Sequence, residues 1–151
     1  MKTITTGNPQ EASEFVFEEI SKILHKKHSC IVALSGGLGA GKTTLVQWLC
    51  KKFNIHETIT SPTFPILNIY EGEFDAKKCM VYHFDWYRLE SEDGLGVINL
   101  DKIFSHKGLF LIEWPEQLPK VLEKYDHVTL MITEDGDIRT YNFEGSGTQV
   151  L

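Results

Sequence analysis

Cys30-Ile31-Val32-Ala33-Leu34-Ser35-Gly36-Gly37-Leu38-Gly39-Ala40-Gly41-Lys42-Thr43 is an apolar run that passes straight into a glycine-rich segment ending on a lysine and a threonine. The uninterrupted run Cys30 to Leu34 is what a strand buried on both faces of a sheet requires. Beyond the glycines, Leu45, Leu49 and Phe53 recur at helical spacing from Lys42 to Phe53, so the order is strand, loop, helix. The loop fits G-x-x-x-x-G-K-[ST], and each fixed position has a mechanical role. Gly36 and Gly41 permit torsions that turn successive N–H groups toward phosphate oxygens. Lys42 is placed for the β- and γ-phosphates, Thr43 offers a hydroxyl to Mg²⁺, and the helix start points its positive dipole end at the anion. Gly39, Ala40 and Thr44 complete the expected phosphate contacts. The reading is an α/β, P-loop NTPase-like domain with a mixed, largely parallel sheet flanked by helices, taking ATP and Mg²⁺ as cofactors.

Upstream, Asn8-Pro9-Gln10-Glu11 predicts a helix start, with Asn8 as N-cap, Pro9 first in the helix and Glu11 reaching back. Ala12, Phe15, Val16, Ile20, Ile23 and Leu24 then give one apolar face for core packing. Downstream, Phe64 to Tyr70 and Cys79 to Trp86 predict an antiparallel hairpin with Glu71 to Lys78 as its polar connection. Gly108 to Glu113 predicts a buried strand, and Pro115 to Leu122 a short helix. Val128 to Ile132 and Ile138 to Phe143 predict strands joined by a turn at Glu134 to Asp137.

The chain has 151 residues, 42% of them hydrophobic, which suits a single compact domain over 1–151. No apolar run approaches the roughly 20 residues that span a bilayer, and Met1 to Thr6 lacks a secretory stretch, so a cytoplasmic protein without membrane contact is expected. The net charge of −6, with Arg88 and Arg139 the only arginines, argues against DNA binding or an autonomous grip on RNA. The pairs Lys26-Lys27, Lys51-Lys52 and Lys77-Lys78 read as solvated helix ends or turns. Cys30, Cys50 and Cys79 are odd in number and widely spaced, and read as small buried hydrophobes.

A P-loop ATPase needs a carboxylate near Mg²⁺, usually at a strand end in the same sheet. Glu113 directly follows Leu109-Phe110-Leu111-Ile112 and Asp85 ends the run from Cys79, so both emerge where charges are hydrated, at the carboxyl edge of the sheet. Either could serve catalysis and the metal, and their division of labour stays open. Thr60-Ser61-Pro62-Thr63-Phe64 reads equally well as a nucleotide-sensing switch carrying Ser61 and Thr63 or as a plain proline turn. Trp86 and Trp114 flank the two acids, and aromatics at such positions usually pack in the core. His83 shares a strand face with Asp85 and can hydrogen-bond in the site, though a structural histidine is the commoner case.

With Gly37-Leu38-Gly39-Ala40-Gly41-Lys42-Thr43-Thr44, Ser61-Pro62-Thr63-Phe64, His83-Phe84-Asp85-Trp86-Tyr87-Arg88-Leu89 and Ile112-Glu113-Trp114-Pro115-Glu116, the chain closely resembles the bacterial TsaE family. The resemblance covers nearly the whole chain. It implies a small cytoplasmic ATPase needed for threonylcarbamoyl modification of tRNA adenosine, with the TsaD and TsaB proteins as partners and tRNA met only through them. It implies that Lys42 and Thr43 hold phosphate and Mg²⁺, that Asp85 and Glu113 serve the metal site, that Ser61 to Thr63 form a switch, and that Trp114 and Arg139 contact nucleotide. The chain departs from the family pattern at Gly37, commonly acidic, and at Ala12, often threonine. The competing readings are a GTPase-like module, whose Asn-Lys-x-Asp element is absent and whose Asp-x-x-Gly is matched only formally by Asp93-Gly94-Leu95-Gly96, which follows a polar stretch and reads as a loop, and a small-molecule kinase, which would bring an arginine-rich lid.

Overall fold

The computed structural model of the chain describes residues 1–60 and 66–145. In chain order the elements are β1 (Lys2–Thr6), α1 (Pro9–Lys27), β2 (Ser29–Gly36), α2 (Lys42–Lys52), β3 (Leu67–Phe74), β4 (Lys77–Asp85), α3 (Leu100–Phe104), β5 (Gly108–Glu113), α4 (Pro119–Leu122), β6 (Val128–Asp135) and β7 (Ile138–Gly145). Two short 3₁₀ turns lie at Glu92–Leu95 and Pro115–Gln117. Among the described residues, no helix is long and apolar enough to cross a membrane.

The strands form one seven-stranded sheet in the order β1-β7-β6-β2-β5-β4-β3. β6, β2, β5 and β4 run parallel, while β3 at one edge and β7 and β1 at the other pair antiparallel. The mixed α/β fold is as expected, with its parallel part confined to the central four strands. Strand alternation divides the apolar side chains between two layers. Cys30, Val32, Leu34, Leu109 and Leu111 pack beneath α1 and α2, and Ile31, Ala33, Phe110 and Ile112 face a second core with Trp86, Leu118 and Val121. Both layers are closed, so β2 is buried on its two faces.

α1 begins where its N-cap predicts, with Asn8 Oδ1 accepting the Gln10 N–H at 2.9 Å. Glu11 does not reach Asn8 directly. Its carboxylate accepts from the Thr6 hydroxyl at 2.9 Å, and that hydroxyl accepts the Asn8 N–H at 3.0 Å.

The β3–β4 hairpin differs from expectation in its turn. The polar stretch Glu71 to Lys78 belongs to the strands, paired from Leu67↔Phe84 to Phe74↔Lys77, which leaves only Asp75 and Ala76 in the turn at φ of 53° and 58°. An alanine in this left-handed region costs roughly 1–2 kcal/mol. Holding it there are the full ladder, Phe74 packed against Phe17 and Phe53, and the contact of His25 Nε2 with Asp75 Oδ2 at 2.5 Å. The helix expected over Pro115 to Leu122 is broken in two at Leu118, whose φ of −131° and ψ of 61° lie outside the helical region that a following proline disfavours. β1 and α3 had no counterpart among the sequence-based expectations, and the Glu92–Leu95 turn falls in the stretch read as a loop.

Candidate active site

The register of the sheet assembles the site. Leu34 of β2 lies opposite Glu113 of β5, and Glu113 opposite Asp85 of β4, so three parallel neighbours end at one level. The parity that sends Val81, Leu109 and Leu111 into the core under α1 and α2 carries His83, Asp85 and Glu113 to that same face. This is the carboxyl edge, at the point where β2 hands the chain to the glycine loop.

Gly36 is required for space, not for an unusual torsion: a Cβ there would sit 2.9 Å from the Ile132 carbonyl oxygen and 3.1 Å from Ala40 Cβ. Gly41 does adopt a left-handed φ of 99°, and from it α2 starts, with the Leu45 N–H donating to the Gly41 carbonyl at 2.9 Å. The first-turn amides of α2 have no intrahelical acceptors and are available to an anion.

Lys42 does not extend into solvent. It is 5% exposed, its Nζ donates to the carbonyls of Gly36 at 2.5 Å and Gly37 at 3.3 Å, and it lies 3.5 Å from the centre of the Trp114 ring. Burial lowers its pKa, opposed by the charges of Glu116, Glu113 and Asp85. Its direct partners are neutral carbonyls and a ring face, so a bound anion would relieve the desolvation. Trp114 reaches this position because its own φ is 59°, a left-handed turn that costs roughly 1–2 kcal/mol in a residue with a Cβ. Tyr87 braces the ring with a centroid separation of 4.8 Å.

Glu113 corrects the expectation of a hydrated strand-end acid: it is only 2% exposed. Its oxygens accept from the Thr43 hydroxyl at 2.8 and 3.1 Å, and its Oε2 lies 2.6 Å from Nε2 of the fully buried His83. Asp85 is half-buried, and its Oδ1 accepts the Tyr87 N–H at 2.9 Å. Residues 38–44 with Asp85, Tyr87, Glu113 and Trp114 enclose a cleft of about 350 Å³. Gly39, Ala40, Gly41, Lys42, Thr43, Thr44, Asp85, Glu113 and Trp114 are thus brought together as anticipated. Arg139 is not in the cleft lining: its Nε donates to the Ala40 carbonyl at 2.8 Å, so it holds the loop from β7. Ser61 and Thr63 lie outside the described residues.

Sequence reasoning missed Tyr87 as a cleft residue and Ser35, whose hydroxyl donates to Glu116 at 3.2 Å. It also left the His83 contact open; the shared strand parity of His83 and Asp85 was the available clue. Trp86, by contrast, is core, fully buried in the second layer.

The donor set suits Mg²⁺. A hydroxyl and two carboxylates are hard oxygen ligands, and among the described residues no group of three or more His, Cys, Asp or Glu could form an all-protein cage. Mg²⁺ characteristically takes one or two carboxylates, keeps waters and shares phosphate oxygens.

Comparisons with known proteins agree with this fold. The family model described as "Threonylcarbamoyl adenosine biosynthesis protein TsaE" matches residues 8–141. A protein of a Nostoc species named tRNA threonylcarbamoyladenosine biosynthesis protein TsaE is 39% identical over 109 residues, covering 70% of this chain and 65% of that protein, just under two thirds of its length. The protein of the same name from Haemophilus influenzae is 32% identical over 130 residues, 83% of this chain and 80% of its own. Among solved structures, YdiB of Bacillus subtilis superposes with a TM-score of 0.73 at 26% identity, covering 97% of this chain and 86% of that one.

Proposed function

The chain belongs to the TsaE family, and on that premise we propose that it is an Mg²⁺-dependent ATPase of the tRNA threonylcarbamoyladenosine pathway, acting as a nucleotide switch on the TsaD and TsaB proteins. The observation that carries this reading is the convergence of Lys42, Thr43, Glu113 and Asp85 on one cleft at the start of α2. The loop amides and Lys42 would hold the phosphates of ATP. Thr43, Glu113 and Asp85 would hold the metal, which when bound supplies charge neutralisation at the phosphate oxygens. A threonine hydroxyl that donates its proton to a carboxylate keeps two acceptor lone pairs, so the Thr43–Glu113 bond is compatible with Thr43 ligating a cation. Asp85, the less buried acid, is the carboxylate with access to water in the cleft.

Neither arginine of the chain lines the cleft to stabilise transferred charge. Arg139 is bonded to Ala40, and Arg88 is exposed and outside the cleft lining. Slow turnover alone and completion of the site by a partner follow from this. Ser61 to Thr63, a switch by the family resemblance, would convey the state of the nucleotide.

Calorimetry with Mg²⁺ and ATP on the wild type and on Lys42→Ala, followed by reconstitution with TsaD, TsaB and tRNA, tests the proposal. Binding lost in Lys42→Ala and sustained modification lost without the protein are expected. Undiminished multiple-turnover modification in its absence would refute the pathway role, and equal affinity in both proteins would refute the P-loop role.

A further inference from the structure

Glu113 is held from behind. His83 is completely buried, and it lies in β4 between Tyr82 and Phe84, on the side that Val81 gives to the core under α1 and α2. Its Nε2 stands 2.6 Å from Glu113 Oε2, and its Nδ1 has no hydrogen-bond partner among the described residues. An apolar side chain could fill that volume without leaving a nitrogen unpaired, so packing alone does not account for an imidazole. Among the described residues, the one polar interaction the ring makes is with the carboxylate that also receives the Thr43 hydroxyl.

We propose that His83 is a positioning residue for the metal site, its Nε2–H fixing the Glu113 carboxylate so that the acid stays aimed at Thr43 and at a divalent cation. This rests on the ATP and Mg²⁺ reading of the cleft. The unpaired Nδ1 sets the tautomer. A proton on Nδ1 would be an orphaned buried donor, whereas an unpaired acceptor is the milder defect, so the proton belongs on Nε2, facing Glu113. Glu113 then has a donor on each side, Thr43 toward the cleft and His83 toward the core. Removing His83 leaves the acid tied only to Thr43, the group that must also turn its lone pairs to the metal. Phosphate contacts from the loop amides and Lys42 do not pass through His83.

The test separates nucleotide binding from metal binding. ATP affinity is measured by calorimetry in EDTA and across a series of Mg²⁺ concentrations, for the wild type, His83→Ala and His83→Gln. Outer-sphere partners of metal ligands typically contribute 10–100-fold to metal affinity, so in His83→Ala the Mg²⁺ concentration giving half of the metal-dependent gain should rise roughly 10–100-fold, with affinity in EDTA within about 2-fold of wild type. His83→Gln, whose amide can donate in place of the ring nitrogen, should recover most of that loss. An unchanged Mg²⁺ midpoint in His83→Ala overturns the proposal. So does a loss equal in EDTA and in Mg²⁺, which would mark a purely structural role. Nitrogen NMR of ¹⁵N-histidine-labelled wild type needs no substitution and reads the tautomer: a proton on Nε2 of His83 supports the inference, and one on Nδ1 alone removes it. A wild type that binds no ATP would bring down the reading of the cleft and this inference together, whereas normal wild-type binding with an unaltered His83→Ala response removes His83 alone.

Discussion

The strands β2, β5 and β4 share an apolar middle and end in opposite ways. At their amino ends backbone meets backbone at close range. Gly108 begins β5 opposite Ser29 at a φ of 141°, and a Cβ on it would lie 2.5 Å from the Met80 carbonyl oxygen. At their carboxyl ends the same strands deliver Glu113 and Asp85 to a cleft and lead through Gly36 into the loop that lines it. There a lysine is buried against carbonyls, a tryptophan is held in a left-handed turn and a histidine nitrogen goes unpaired. One end is fixed by backbone contact at Gly108 and the other gathers buried polar groups around a cleft. Left-handed torsions also occur at His28, Asp75 and Ala76, so strain alone does not mark a site; a strained tryptophan beside a buried lysine and a buried acid at an open cleft does.

The largest expected effect follows from Lys42. Lys42→Ala should lower ATP turnover by about 100-fold or more, as loss of a charge-stabilising group in a closed site does. Its unfolding midpoint should not fall, because burial already disfavours the ammonium in the folded chain. A thermal melt of the ligand-free variant well below wild type would break the contrast between the two ends. Glu113→Ala comes next. It should remain folded, with a loss of about 1–3 kcal/mol from the donors of Thr43 and His83 left behind. Its response to Mg²⁺ should weaken far more than its affinity for ATP in EDTA. Circular dichroism and the same calorimetry check both halves of that expectation.

Gly108→Ala sharpens the contrast from the opposite end. The left-handed torsion alone costs roughly 1–3 kcal/mol in a residue with a Cβ, and overlap with the backbone of Met80 adds to it. At this chain length each kcal/mol lowers the midpoint by about 2–4 °C. ATP turnover per folded molecule should be unchanged, and activity lost in proportion to nothing in the melting curve would show that the amino ends also serve the site.

What the sequence revealed and what it hid divide along physical lines. The P-loop, the N-cap of α1 and the bounds of β5 depend on neighbours in the chain, so local spacing was enough to find them. β1 was missed because its half-buried alternation has meaning only beside β7, where Lys2 pairs with Phe143. The hairpin turn was missed because Asp75-Ala76 lacks the glycine that such torsions favour, and tertiary contacts of Phe74 and His25 hold it instead. The partners of Glu113 were assembled by register: pairing Asp85 with Glu113 sets His83 beside the acid, and no motif spacing within either strand states that pairing. Burial of the acid followed from the same contacts, which is why a hydrated strand end was the wrong expectation.

The smallest effect concerns the thiols packed under α1 and α2 and near the amino ends of the strands. Cys30 and Cys50 are fully buried and Cys79 is half-buried, and burial raises all three pKa values, that of Cys50 to about 12. At pH 8 a thiol reagent should label Cys79 first and slowly, and should reach all three only on denaturation. Stability carries the matching signature. An unfolded Cys50 thiol loses its proton near 9.0, whereas the folded one keeps it to about 12, so between those values the native state binds more protons and stability falls as pH rises. The slope is at most ~1.4 kcal/mol per pH unit for one such thiol. Lys42 contributes with the opposite sign, since its lowered pKa means that the folded chain releases that proton first as pH climbs toward 10.5. Denaturant titrations from pH 8 to 10.5 on the wild type, Cys50→Ala and Lys42→Ala separate the two: removing the thiol should flatten the decline and removing the lysine should steepen it. A Cys50→Ala slope identical to wild type would mean that this thiol is not closed off in the folded protein, and the contrast between a sealed core and an open edge would lose one of its supports.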